Sequence, residues 1–213
     1  MKKLLILLII FISIPIIATA QKQETLFNGY DLSGWDFVVE KESVPASDVF
    51  YIRDGILTIS GNPFGYMYTL KKYGNYHLQV EWRWPQGKES NSGIFLMVED
   101  TLSPFPKCIE CQLFAGKAGD FVLINGSDLA EYKDEPNVPR PRFPIVPKTD
   151  SSSEKPAGEW NKADIYSYNG TIIVYINGIF QNKGTSKVKE GNIALQSEGG
   201  HIQFRNIILT PLF

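Results

Sequence analysis

Glu110 and Gln112 are the residues of this chain whose types and spacing suit chemistry. They stand in Cys108-Ile109-Glu110-Cys111-Gln112-Leu113-Phe114, a segment that reads as a buried or half-buried β-strand. Alternate residues of a strand share a face. Glu110 and Gln112 therefore point one way, beside Cys108, while Ile109, Cys111 and Leu113 point the other. Two readings compete. One is a hydrogen-bonded polar ladder inside a sandwich; the other is a ligand site on a sheet face, with a carboxylate for acid or base work and an amide to orient a substrate. Further carboxylates and amides occupy strands or strand ends. Glu81 and Arg83 share a face, which a structural ion pair also explains. Asn91-Ser92-Gly93 opens a strand, Ala118-Gly119-Asp120 precedes one, and Gln196-Ser197-Glu198-Gly199-Gly200 joins the last two. Ordinary turn chemistry accounts for each of these equally well.

Standard catalytic strings are absent. The chain has no Gly-x-Ser-x-Gly, no His-Glu-x-x-His, no glycine-rich phosphate loop and no acidic loop of the EF-hand kind. Its two histidines, His77 and His201, lie in no recognisable catalytic context. Asn125-Gly126-Ser127 and Asn169-Gly170-Thr171 match glycosylation sequons, and a hairpin turn explains the second.

Strands must position these groups. His77-Leu78-Gln79-Val80-Glu81-Trp82-Arg83-Trp84 alternates cleanly, with Leu78, Val80, Trp82 and Trp84 on one face. Asp54-Gly55, Asn169-Gly170 and Asn177-Gly178 mark three tight hairpins, since such dipeptides supply the positive φ of two-residue turns. Further strands are expected at Tyr66–Leu70, Gly93–Glu99, Phe121–Ile124, Gly191–Gln196 and Ile202–Leu209. Thr171–Ile176 is apolar on both faces and reads as a central strand. Leu26-Phe27 and Ile207–Leu209 look paired. No window carries a helical period beyond a short turn near Ser127–Tyr132. This pattern predicts an all-β sandwich of two antiparallel sheets, a jelly roll. One segment stands apart. Ser127–Glu159 holds six prolines and the Ser151-Ser152-Ser153 run, and it reads as an ordered loop walling a cleft.

Residues 1–20 read as an export signal. Lys2 and Lys3 give the charged start, Leu4 to Ile17 is apolar apart from Ser13 and Pro15, and Ala18-Thr19-Ala20 is a small-residue cleavage site. The expectation is a single mature domain over residues 21–213, periplasmic or secreted, with no membrane span after cleavage. A net charge of −2 for the whole chain gives no reason to expect nucleic acid. Cys108 and Cys111 lie three apart on one strand, about 10 Å by strand rise, so two free thiols are expected rather than a disulfide.

Together these segments resemble one family. Leu26-Phe27-Asn28-Gly29 with Leu32-Ser33-Gly34-Trp35 is its opening signature. Gly65-Tyr66, Tyr73, Glu81-Trp82-Arg83, Asn91-Ser92-Gly93-Ile94-Phe95, Glu110-x-Gln112-Leu113 and Ala118-Gly119-Asp120 follow in order. Lys155-Pro156, Gly158-Glu159-Trp160-Asn161, Asn177-Gly178, Leu195-Gln196-Ser197-Glu198-Gly199 and Phe204-Arg205-Asn206-Ile207 complete it. The chain resembles the 3-keto-disaccharide hydrolase family over Leu26 to Leu209. It departs from the commoner family pattern at Met97, Ala115-Gly116 and Glu198.

The resemblance implies a concanavalin A-like jelly roll, an exported bacterial protein and an oligosaccharide or glycoside substrate oxidised at C3. A ketone at C3 acidifies the C2 proton, so a base can form an enolate that expels the C1 substituent, after which water adds. On that basis Glu110 is expected as base or metal ligand, with Asp120 and Glu198 as its carboxylate partners. Arg83, Asn91, Gln112, Lys155, Gln196 and Tyr66 are expected to bind substrate. A divalent metal would suit the enolate, although no ligand spacing marks one. The rival reading is a non-catalytic carbohydrate-binding module, with Trp35, Trp84, Tyr66 or Tyr68 stacking on sugar faces.

Overall fold

Asp54, Asn169 and Asn177 each adopt a left-handed conformation, and each is followed by a glycine that does the same. These are the three hairpin turns expected from the sequence, and they set the register of the strands around them. In the computed structural model, residues 22–40 and 44–213 are described. The export-signal segment, residues 1–20, lies outside them. In chain order the strands are β1 (Glu24–Thr25), β2 (Trp35–Val39), β3 (Phe50–Arg53), β4 (Ile56–Ile59), β5 (Gly65–Thr69), β6 (Tyr76–Arg83), β7 (Gly93–Val98) and β8 (Cys108–Gln112). They continue as β9 (Phe121–Ile124), β10 (Ile145–Val146), β11 (Asn161–Tyr168), β12 (Thr171–Ile176), β13 (Ile179–Thr185), β14 (Asn192–Ser197) and β15 (Ile202–Pro211). A single helical turn, α1 (Ala46–Val49), precedes β3.

The strands form two antiparallel sheets, a jelly-roll sandwich. One sheet runs β13-β12-β11-β6-β15-β4-β3, with β1 added alongside β15; the other runs β10-β9-β8-β7-β14-β5-β2. The terminal pairing is present: Glu24 faces Leu209 and Thr25 faces Ile208. Between the sheets lies the main core, where Leu78, Val80 and Trp82 from β6 meet Ile94, Ile109, Cys111, Leu113 and Leu195 from the other sheet. The strict alternation of β6 leaves His77, Gln79, Glu81 and Arg83 on the far side of the eight-stranded sheet. β12 behaves likewise. Ile172, Val174 and Ile176 are buried, while Ile173 and Tyr175 are half-buried on the outer face, so this strand is covered on one side rather than two.

A second, smaller apolar cluster sits on the outer face of the seven-stranded sheet. It contains Tyr66, Phe95, Val98, Cys108, Val122, Ile124 and Ala194, with Phe105 and Phe143 packed against it. The proline-rich segment brings Phe143 onto this face and then adds β10 to the sheet edge, pairing with β9 through Ile145–Val122 and Val146–Phe121. Met97 takes a left-handed φ of 52° at an irregularity in the β7–β14 pairing. The extra residue turns both Leu96 and Met97 towards the main core and restores Val98 to the outer cluster. Met97 therefore contributes packing, away from Glu110. Cys108 and Cys111 are both buried and free, on opposite faces of β8.

Candidate functional site

Glu110 lies near the middle of β8, opposite Phe95 of β7 and Val122 of β9. Only 3% of it is exposed. Its side chain leans over Gly93, where a β-carbon would overlap the carboxylate. The missing side chain on β7 lets Glu110 reach across that strand towards β14. There, Gln196 is 2% exposed, and Glu198 follows just past the strand end. Asn91 completes the group. It is fixed by its neighbours: Ser92 Oγ donates to Gln196 O at 2.9 Å, Leu113 N donates to Ser92 O at 2.8 Å, and Ala115 N donates to Ser90 O at 3.1 Å.

These side chains line one pocket of about 190 Å³, bounded by Asn91, Glu110, Gln112, Gln196 and Glu198 with Phe105, Val122, Ile124, Phe143 and Ile145. Phe143 and Ile145 come from the proline-rich segment, which walls the pocket as expected. Gln112 has a fixed orientation. Its Oε1 accepts the backbone N–H groups of Leu113 and Phe114 at 2.9 and 2.8 Å. The amide nitrogen is thereby left as the donor facing a ligand.

Three buried oxygens in this pocket, Glu110 Oε1, Asn91 Oδ1 and Gln196 Oε1, have no hydrogen-bond partner among the described residues. Buried acceptors without donors are costly and uncommon. Polyhydroxylated ligands supply such donors. Burial raises the pKa of Glu198, and the nearby amides of Asn91 and Gln196 limit the rise. Burial pushes the Glu110 carboxyl well above its ordinary range, and the Glu198 charge adds to the rise. The two carboxyls thus hold a proton more tightly than free ones do, Glu110 more so. Among the described residues, no group of three or more His, Cys, Asp or Glu side chains is arranged to hold a metal ion.

This electrostatics has a measurable consequence. Below the ordinary carboxylate value, near 4.5, Glu110 is protonated both folded and unfolded and adds nothing to pH dependence. As pH rises from there towards its higher folded value, the unfolded chain ionises while the folded carboxyl keeps its proton, and stability falls. Glu110→Gln is therefore expected to raise the melting temperature at neutral pH and to leave it nearly unchanged near pH 4. Paired thermal melts at the two pH values check this.

The other residues expected at the site are placed as follows. Asp120, 6% exposed, lines an adjoining part of the cleft with Gln112, and its Oδ1 accepts Lys148 N–H at 2.8 Å. Tyr66 lies beneath the cleft, packed on Phe95, with its hydroxyl donating to Ser103 O at 3.0 Å. Arg83 is on the opposite side of the sandwich. It stacks over Trp160 at 4.5 Å and donates to Gln203 Oε1 at 2.8 Å. The alternation of β6 that buries Trp82 dictates this placement. Lys155 is exposed and borders no part of this cleft; its neighbour Glu154 instead accepts N–H groups from Gly116 and Ala118, staple-fashion. Phe105 and Phe143 went unanticipated, since nothing in their local sequence says that they fold over the outer face. Trp35, Trp84 and Tyr66 are buried, which removes three of the four aromatics that a sugar-stacking strip would need.

The two sheets form a glucanase-like jelly roll with an acidic, amide-lined cleft on one outer face. A β-glucanase from Bacillus licheniformis has this fold, with a TM-score of 0.58 at 11% identity over 92% of this chain and 100% of that one. A Parabacteroides distasonis protein superposes with a TM-score of 0.63 at 20% identity, covering 90% of this chain and 94% of that one. The sequence profile of the 3-keto-alpha-glucoside-1,2-lyase-like domain matches residues 22–210, and the chain belongs to that family. A 3-keto-disaccharide hydrolase from Bacteroides thetaiotaomicron is 27% identical over 161 residues, which are 70% of this chain and 53% of that protein. The chain thus spans about half the length of this relative.

Proposed function

We propose that the protein cleaves 3-keto-glycosides by elimination at C1–C2, followed by addition of water. The observation that carries this reading is the pair of carboxyls, Glu110 and Glu198, in one pocket with the unpartnered buried oxygens of Glu110, Asn91 and Gln196. Sugar hydroxyls satisfy the oxygens. The carboxyls divide the acid and base work according to their surroundings. Glu198 is the more exposed and has the Asn91 and Gln196 amides beside it, so it ionises first. Glu110, buried beside that charge, keeps the shared proton. This assignment departs from the sequence expectation of Glu110 as base.

Glu198 takes the C2 proton, and the electron pair passes to the C3 ketone as an enolate. The enolate then collapses, and the C1–O bond breaks as Glu110 gives its proton to the leaving oxygen. An unsaturated 3-keto sugar remains. In the second half Glu110, now ionised, accepts a proton from water as the oxygen adds to C1. Glu198 returns a proton to C2. Release before water adds makes the protein a lyase; release afterwards makes it a hydrolase. The Gln112 amide nitrogen is the donor for the developing enolate oxygen. Gln112→Leu is expected to lower turnover about 100-fold while folding is retained, which steady-state kinetics and a thermal melt check together.

Incubation with 3-keto-glycosides and their unoxidised parents tests the reading. Turnover confined to the keto compounds supports it, and cleavage of the parents at equal rate contradicts it. Export belongs to the same proposal. It rests on residues 1–20, and an N-terminus at Gln21 in protein recovered from outside the cytoplasm checks it.

A further inference from the structure

Two large apolar side chains border the cleft in the open, Phe114 at 45% and Ile145 at 50% exposure. Packing does not explain them, because the core is complete beneath. They line a second space of about 340 Å³, together with Val122, Pro147, Lys117 and Asp120. It shares Gln112, Val122 and Ile145 with the pocket that holds Glu110, so the two are parts of one cleft.

Their linings differ in kind. Unpartnered oxygens crowd the Glu110 part. In the second part the exposed surface is mostly carbon, and two of its few polar atoms are already engaged. Gln112 Oε1 already accepts two backbone N–H groups, and Asp120 Oδ1 accepts that of Lys148. The remaining surface, Phe114, Val122, Ile145 and Pro147, is mostly carbon. A second sugar ring brings several hydroxyls that need partners, and a site without them disfavours it. A flat apolar group has no such need and gains from contact with an aromatic ring.

We propose that this second space is the leaving-group subsite and that it takes a flat, apolar aglycone, which makes aryl glycosides better ligands than disaccharides. The inference rests on the 3-keto-glycoside reading for its sense of direction along the cleft. Phe114 sets the preference through its ring alone, since its contribution to Gln112 comes from the backbone N–H.

Calorimetric titration of the full chain with phenyl α-glucoside, methyl α-glucoside and trehalose tests this. These probes share one sugar and differ in the group on C1. Phenyl glucoside is expected to bind about tenfold more tightly than methyl glucoside, from the apolar area covered. Phe114→Ser should abolish that advantage and leave methyl glucoside binding unchanged. Ile145→Ser should reduce it in part. Trehalose binding as tightly as phenyl glucoside overturns the proposal. So does a Phe114→Ser variant that weakens all three probes alike, and so does a failure of phenyl glucoside to bind in the millimolar range. The same three aglycones on 3-keto-glucose separate this inference from the proposed chemistry. Turnover without an aglycone preference removes the subsite and keeps the chemistry. Phenyl preference in binding without any turnover removes the chemistry and keeps the subsite.

Discussion

Glu198→Gln is expected to lower turnover of every 3-keto-glycoside about 10²–10⁴-fold, whatever its leaving group. The amide preserves the shape but cannot take the C2 proton. Glu110→Gln should behave differently. It removes the acid, so its effect should be largest for alkoxide leaving groups and should shrink for phenolates that depart without protonation. A rate series over methyl, phenyl and nitrophenyl 3-keto-glucosides distinguishes the two variants. Reversed patterns would exchange the roles of the two carboxyls. Wild-type rates should follow a bell in pH, rising as Glu198 ionises and falling as Glu110 ionises, with both limbs above the ordinary carboxylate range. In Glu198→Gln the Glu110 carboxyl loses the neighbouring charge that helps to hold its proton.

Gly93→Ala is the second large effect. The added methyl would overlap the Glu110 carboxylate, so the side chain must swing aside or the strand must shift. Misplacing a catalytic group by about 1 Å costs on the order of 10² in rate. The loss should be about 100-fold or more, with the leaving-group dependence of Glu110→Gln. Shortening the acid in Gly93→Ala/Glu110→Asp should recover part of the rate, because the overlap is relieved. Gly93→Ala with unchanged kinetics would mean that the observed Glu110 position is not the working one.

The sequence made most of the fold legible through turn chemistry and alternation. Asn169-Gly170 and Asn177-Gly178 bracket β12, whose expected and observed limits coincide at Thr171–Ile176. The period of β8 put Glu110 and Gln112 on one face and Cys111 on the other, as found. Short strands that depend on distant partners were less visible. β10 is two residues inside a proline-rich segment, and only its pairing with β9 makes it a strand. β2, Trp35–Val39, is an edge strand that pairs with β5, which is not its neighbour in the chain.

The candidate site was legible in its polar members and not in its geography. Asn91, Glu110, Gln112, Gln196 and Glu198 converge, and local motifs had singled out each of them. That Arg83 belongs to the other sheet follows from topology, which a motif does not carry. Of the apolar walls, Phe143 and Ile145 arise from the long proline-rich connection folding back over the sheet, and Phe105 from the loop between β7 and β8. Nor could the division of acid and base be read beforehand, because it depends on how deeply each carboxyl is buried and which amides reach it.

The central claim is that catalysis begins by removing the proton from C2. A 3-keto-glucoside deuterated at C2, turned over in ordinary water and examined by mass spectrometry, tests it most directly. Glu198 is only partly buried, so the deuterium it takes exchanges with solvent. The account predicts a product without deuterium, whether released as the unsaturated sugar or after water has added. A 3-keto-glucose product that retains its C2 deuterium in full would mean direct displacement at C1, and would contradict the account.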